Sequence, residues 1–220
     1  MKLAHQYRFE FFLLTQVLIL FGSLVVPADS FQRYILPALF VLNTLAGLIL
    51  VSRKKRLLWF LTGLTILGFF SFGLTLFSAI SNDELIIRYS IYFVFHLVVT
   101  MEIIQQVWNA PVVNKNVMMG LMSGYISLGF VTFFICAIIE LTYPGSFNGV
   151  FLEGSGGATR LEGMLYYSFV TLLTIGYGDV IPVTPLAQKA ALLTGLLGQF
   201  YTMIITAVIV SKYILHSKDN

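Results

Sequence analysis

The sequence predicts an all-α membrane protein, with six transmembrane helices and a short re-entrant segment between the fifth and the sixth. Three observations carry that expectation. Hydrophobic residues make up 58 % of the 220 and charged residues only 10 %, with a mean hydropathy of +0.88, which is the balance of an integral membrane chain. The apolar residues fall in runs, most of them near or above the roughly 18–20 residues that span a hydrocarbon core as helix. One further stretch, 161–174, is apolar but too short to cross, and it leads into TLLTIGYGDVIP (171–182). Glycine weakens a helix and proline ends it. Irregular backbone at membrane depth is tolerated only where protein buries it or where it lines a water-filled path.

The first run, 11–28, could pass for a signal peptide, since Ala28-Asp29-Ser30 is an acceptable cleavage site. It is read here as a retained signal anchor. Runs at 34–52 and 57–80 follow, then 85–107, which carries Arg88 near one end and Glu102 near the other, then 116–139 and 190–211. Basic residues in short loops orient the chain. With the N-terminus inside, Lys2, Arg8, the Arg53-Lys54-Lys55-Arg56 cluster, Lys115, Lys212 and Lys218 face the cytosol. Asp29, Asp83, Glu84, Glu153, Glu162 and Asp179 face the other side. Six spans bring both termini to the cytosol, in a multi-pass protein of the plasma (cell inner) membrane.

Several residues have plain readings. Cys136 lies inside an apolar run as a small buried hydrophobe, and one cysteine forms no intrachain disulfide. The basic cluster at 53–56 is a topology anchor, with anionic-lipid binding as the sharper alternative. The 20 Phe and 11 Tyr receive no site as a class. A net charge of +3 does not point to nucleic acid. Glu102, near the cytosolic end of the fourth span, would reach the basic cluster. His96, at mid-span, is either a pH sensor or, by preference, a neutral histidine hydrogen-bonded between helices. The Gly-Ser-Gly-Gly patch at 154–157 reads as a flexible outer turret.

Thr174-Ile175-Gly176-Tyr177-Gly178-Asp179, set between a short apolar helix and a spanning one, closely resembles the selectivity filter of the potassium-channel family. The physics accounts for the residue types. An ion sheds its water only where other oxygens replace it, and backbone carbonyls lining a pore can do so. Successive carbonyls turn inward when alternate residues take left-handed conformations, which Gly176 and Gly178 adopt at little cost. The Thr174 hydroxyl would add an innermost ring of oxygens, with Ile175 and Tyr177 pointing into the packing behind. The half-helix 161–173 would aim its negative C-terminal end at the central cavity. One strand cannot surround an ion, so the resemblance implies a homotetramer with potassium ions held by Thr174, Ile175, Gly176 and Tyr177 and no other cofactor.

The resemblance covers about Val117 to Tyr213 and implies further roles. Tyr166-Tyr167-Ser168 takes the place of the pore-helix aromatic pair, Pro182 follows the filter, and Lys189 opens the sixth helix. Tyr166 and Glu140 would support the filter together with Asp179, Glu140 by bracing the loop behind it. Gln199, Thr202 and Thr206 would face the cavity, and Val210 and Ile214 would form an apolar gate. Gly198 falls at the inner-helix hinge position, with close helix packing as the alternative. Two departures are evident: Leu173 replaces the first of two threonines, and Val170 stands where some members carry a buried glutamate. Asp179 is then left to Tyr166 or to water.

Residues 111–220 thus read as a pore domain and 1–110 as a four-helix domain resembling a voltage sensor. A sensor needs charge at every third position of its fourth helix, yet from Arg88 the series runs Ile91, Val94, Leu97, Thr100. Steep voltage gating is not expected. Seven residues follow Tyr213, too few for a nucleotide- or calcium-binding domain, so a gating ligand would act on the membrane part or through a separate subunit. The expected function is passive, non-enzymatic and potassium-selective. A non-selective cation channel on the same scaffold and a potassium transporter subunit are the alternatives. A membrane enzyme is disfavoured because His5, His96 and His216 are scattered. Lipid, potassium ions and copies of the same chain are the expected partners.

Overall fold

The computed structural model describes residues 7–27, 30–52, 54–75, 81–111, 114–149 and 157–218. Helix α1 (Arg8–Phe21) runs on into a 3-10 turn. Helix α2 (Leu36–Val51) is entered through a π-turn at Phe31–Ile35, and α3 spans Lys55–Thr75. Helices α4 (Asn82–Trp108) and α5 (Lys115–Thr142) are longer. A three-residue strand β1 (Phe147–Gly149), the short helix α6 (Gly157–Leu172), strand β2 (Val180–Pro182) and helix α7 (Pro185–Lys218) complete the chain. Among the described residues, α4, α5 and the Pro185–Ser211 part of α7 are long and apolar enough to cross a membrane, and α2 is apolar but shorter.

Local chemistry sets several boundaries. The Ser81 hydroxyl accepts the Glu84 N–H at 3.3 Å while the Glu84 carboxylate accepts the Ser81 N–H at 3.2 Å, a reciprocal cap that starts α4. Asn114 caps α5 by accepting the Val117 N–H at 3.0 Å. Proline at the first turn of α7 places the helix start at Pro185, because a missing N–H costs nothing there. Lys189 therefore lies in the second turn and does not open the helix as expected. The β1–β2 pair is a second departure from an all-helical reading. Three residues on each side are too few to leave a period in the sequence.

The core is built on α4 and α5. Towards the C-terminal end of α5, Phe40 of α2 stands 5.4 Å from Tyr92 of α4 and 5.8 Å from Phe130 and Phe134 of α5. The other half joins Phe9 and Phe12 of α1 to Leu50, Phe95, Val99 and Ile103. Between apolar helices in lipid, association depends on close packing and interhelical hydrogen bonds. Ser127 of α5 supplies one, accepting from the Thr100 hydroxyl at 2.8 Å and lying 3.2 Å from His96 Nδ1. His96 is thus fully buried and hydrogen-bonded between helices. Cys136 is buried too.

Polar groups gather at one end of the bundle. The Lys54 ammonium sits 2.7 Å from the Glu102 carboxylate, as the sequence led us to expect, and also donates to Gln105. Gln106 donates to Glu102 and to the Leu50 carbonyl, both at 3.0 Å, and accepts from Arg8 at 3.3 Å. Lys115 lies 3.7 Å from Glu10. These contacts bring the start of α1, the α2–α3 turn, the end of α4 and the start of α5 together, as helices that alternate in direction require. Glu102 is 6 % exposed, so Glu102→Ala should take the acceptor from two donors, Lys54 and Gln106, and cost about 1–3 kcal/mol. A clear drop in thermal unfolding midpoint in detergent is expected; an unchanged midpoint would show that water already satisfies these groups.

Candidate functional site

Helix α6 stops at Leu172, and the chain that follows folds back onto its last carbonyls. The N–H of Leu173 donates to Phe169, that of Thr174 to Thr171 and that of Ile175 to Val170, at 2.8, 3.0 and 2.9 Å. From there the backbone alternates: φ is +58° at Thr174, +60° at Gly176 and +81° at Gly178. Glycine tolerates that region, whereas a β-branched residue there costs on the order of 1–2 kcal/mol. Thr174 therefore stays left-handed only because the bonds on either side of it hold it so. Among the described residues, none donates to the carbonyls of Thr174 through Gly178. The site offers a row of uncommitted carbonyl oxygens.

The upper end is held from two directions. Asp179 Oδ2 accepts the Tyr166 hydroxyl at 2.5 Å, and Oδ1 accepts the Val180 N–H at 3.1 Å. That bond raises the Tyr166 phenol, on a helix that does not cross, to about 12. Strand β2 pairs antiparallel with β1, Phe147 opposite Pro182 and Gly149 opposite Val180. Gly149 is needed there because a Cβ would overlap the Asp179 carbonyl oxygen. Strand β1 is in turn fixed by Glu140, which is 3 % exposed. Its carboxylate accepts the N–H groups of Gly145 and Phe147 at 3.0 and 3.1 Å and lies 3.7 Å from Arg160 of α6.

Helix α7 closes the base. Gly198 packs against the Leu172 carbonyl, where a Cβ would overlap the oxygen. The Gln199 side chain donates to the Thr174 hydroxyl at 3.4 Å. The Tyr201 hydroxyl donates to Leu121 of α5 at 2.7 Å, its ring 5.2 Å from Tyr125, whose own hydroxyl reaches the Leu172 carbonyl at 3.3 Å. The other side of α7 is bare, with Leu192, Phe200, Met203 and Ile204 exposed. Tyr177 is 69 % exposed.

Residues 121–214 match a family described as ion channel. Over 80 residues the chain is 32 % identical to a protein named two pore potassium channel c from Oryza sativa subsp. japonica. That alignment covers 36 % of this chain and 17 % of the rice protein, so the chain spans well under two thirds of the relative's length. No solved structure matches. The ion-channel match begins within α5 and ends within α7, enclosing α6 and the whole left-handed stretch.

Of the residues singled out from sequence, the fold brings together Glu140, Tyr166, Asp179, the stretch Thr174–Gly178, Gly198 and Gln199. Thr202, Thr206 and Val210 lie exposed on α7. The two threonine hydroxyls bond back to their own helix, Thr202 to Gly198 and Gln199, Thr206 to Thr202. Ile214 falls in the final turns, beyond the residues whose side chains are described. Most of the 154–157 patch and Arg53 also lie outside the described residues. Helix α6 starts at Gly157 and ends at Leu172, not at 161 and 173. Sequence reasoning missed Tyr125, Tyr201, Gly149 and Arg160, whose partners are distant in the chain. Gly198→Ala should displace the end of α6, costing about 1–3 kcal/mol and lowering the thermal midpoint. Gly63→Ala on α3, where nothing lies within 4 Å, is the neutral comparison; equal effects would refute the packing role.

Proposed function

We propose that the chain is one subunit of a homotetrameric channel that passes potassium passively and selectively. The observation that carries the reading is the alternation of left-handed residues at Thr174, Gly176 and Gly178, with carbonyls that accept nothing from the protein. A row of fixed carbonyls suits an ion that must exchange its hydration shell at small cost. Thr174, Ile175, Gly176 and Tyr177 would hold the ion, with Gly178 and Asp179 closing the outer end. The bare face of α7 and the exposed Tyr177 are what further copies would cover. Gln199, Thr202 and Thr206 would then face the central cavity, Val210 and Ile214 the cytosolic mouth, and Gly198 would serve as packing contact or hinge.

In this reading six helices cross the membrane with both termini cytosolic, residues 111–220 make the pore, and residues 1–110 brace it. In reconstituted bilayers the reversal potential should follow the potassium gradient and ignore sodium. Gly176→Ala should abolish selectivity or conduction, because a Cβ opposes the left-handed backbone. Potassium current unchanged in that variant would sink the assignment, and equal sodium and potassium permeability in the unsubstituted protein would favour a non-selective channel.

Voltage should act weakly. Each charge crossing the field supplies about 2.3 kcal/mol per 100 mV. Arg88 is the one basic residue of α4, and it is buried near the helix start at 9 % exposure. Four subunits could gain at most about 9 kcal/mol at 100 mV if every Arg88 crossed completely. A nearly flat open probability over about 100 mV on either side of zero is expected. An e-fold rise over a few millivolts, lost in Arg88→Gln, would overturn this.

A further inference from the structure

We propose that Tyr125 is a positioning residue for the carbonyl row, and that its hydroxyl sets how strictly the row selects potassium. The inference rests on the channel reading above. A helix leaves its last four carbonyls without partners of its own, and in α6 these belong to Phe169, Val170, Thr171 and Leu172. The chain that follows takes three of them, through the N–H groups of Leu173, Ile175 and Thr174. Leu172 is the exception. Among the described residues its carbonyl accepts only the Tyr125 hydroxyl of α5, at 3.3 Å. The peptide plane joining Leu172 to Leu173 is therefore held at both polar ends, its N–H by Phe169 and its carbonyl by another helix.

That plane is where the row begins. The next two peptide units give their N–H groups, those of Thr174 and Ile175, back to α6. Thr174 sits between them at φ +58°, a conformation costly for a β-branched residue. Gln199 holds the Thr174 side chain at 3.4 Å but not its backbone. Freed of Tyr125, the Leu172–Leu173 plane can tilt and Thr174 can leave the left-handed region, which turns its carbonyl out of the row. Carbonyls discriminate between ions by the number and spacing with which they replace water, so a displaced Thr174 carbonyl weakens selection. The Tyr125 ring is itself held in place. It lies 5.2 Å from the ring of Tyr201, which donates to Leu121, one turn before Tyr125, at 2.7 Å. Gly124 admits that contact, since a Cβ there would stand 2.5 Å from the Tyr201 hydroxyl.

Tyr125→Phe removes the hydroxyl and keeps the ring. Thr100→Val, which deletes the bond from α4 to Ser127 of α5, is the comparison. Each variant loses one interhelical hydroxyl bond, so both should lower the thermal midpoint in detergent. In reconstituted bilayers Tyr125→Phe should lower the permeability ratio of potassium over sodium about two- to tenfold, the equilibrium worth of one hydrogen bond. Thr100→Val should leave that ratio unchanged. Exchange of the Leu173, Thr174 and Ile175 amide hydrogens, read in the purified protein with no ion flux, should quicken by about the same factor in Tyr125→Phe alone. Equal changes in both variants would overturn the proposal, as would neither readout moving in Tyr125→Phe or one moving without the other. Should the unsubstituted protein pass sodium and potassium alike, the role in selection falls with the channel reading, and amide exchange alone decides whether Tyr125 holds this plane.

Discussion

Backbone left without intramolecular partners is the constraint on which the second half of this molecule depends. A helix would satisfy those groups and a closed sheet would pair them, but either would consume the carbonyls of Thr174–Gly178. The chain instead fixes the segment at its two ends. Below, three N–H groups fold onto the final carbonyls of α6. Above, Tyr166 takes hold of Asp179 and β2 is laced to β1. What lies between is held without being paired, and that includes a threonine at φ +58°.

Helix α5 links this arrangement to the rest of the chain. Glu140 near its C-terminal end supports β1 and thereby β2. Tyr125, four turns nearer the other end, reaches the last carbonyl of α6, and Leu121 receives the hydroxyl of Tyr201 from α7. Between these levels the opposite face of the same helix carries Phe130, Phe134 and Ser127 against α2 and α4. A shift of α4 would therefore be felt by α5 along most of its length. Helices α1 and α4 pack directly along α5.

The polar end of the bundle ties its parts together. Pairing Lys54 with Glu102 closes the α2–α3 turn onto α4 and balances a buried carboxylate with an ammonium. Gln106 adds bonds to Glu102, to the Leu50 carbonyl and from Arg8, so α1, α2 and α4 meet at one point.

Much of this was legible in the residues themselves. Long apolar runs announce helices because lipid leaves the backbone no other partner, and the Thr174–Asp179 stretch announces its own conformation because only glycine adopts alternate left-handed geometry cheaply. The Lys54–Glu102 pair could also be expected, since an acid near a helix end has few partners besides the basic loop on that side. Other features required the tertiary structure. The β1–β2 pair is too short to leave a period, and Lys189 could not reveal that the helix had already begun at Pro185. The packing of Gly198 on Leu172, and the two tyrosines behind it, join residues of α5, α6 and α7 whose proximity depends on how the helices cross. Sequence determined which backbone could bend at membrane depth; only the packed fold decided what would hold it there, because the groups that hold it are contributed by other helices.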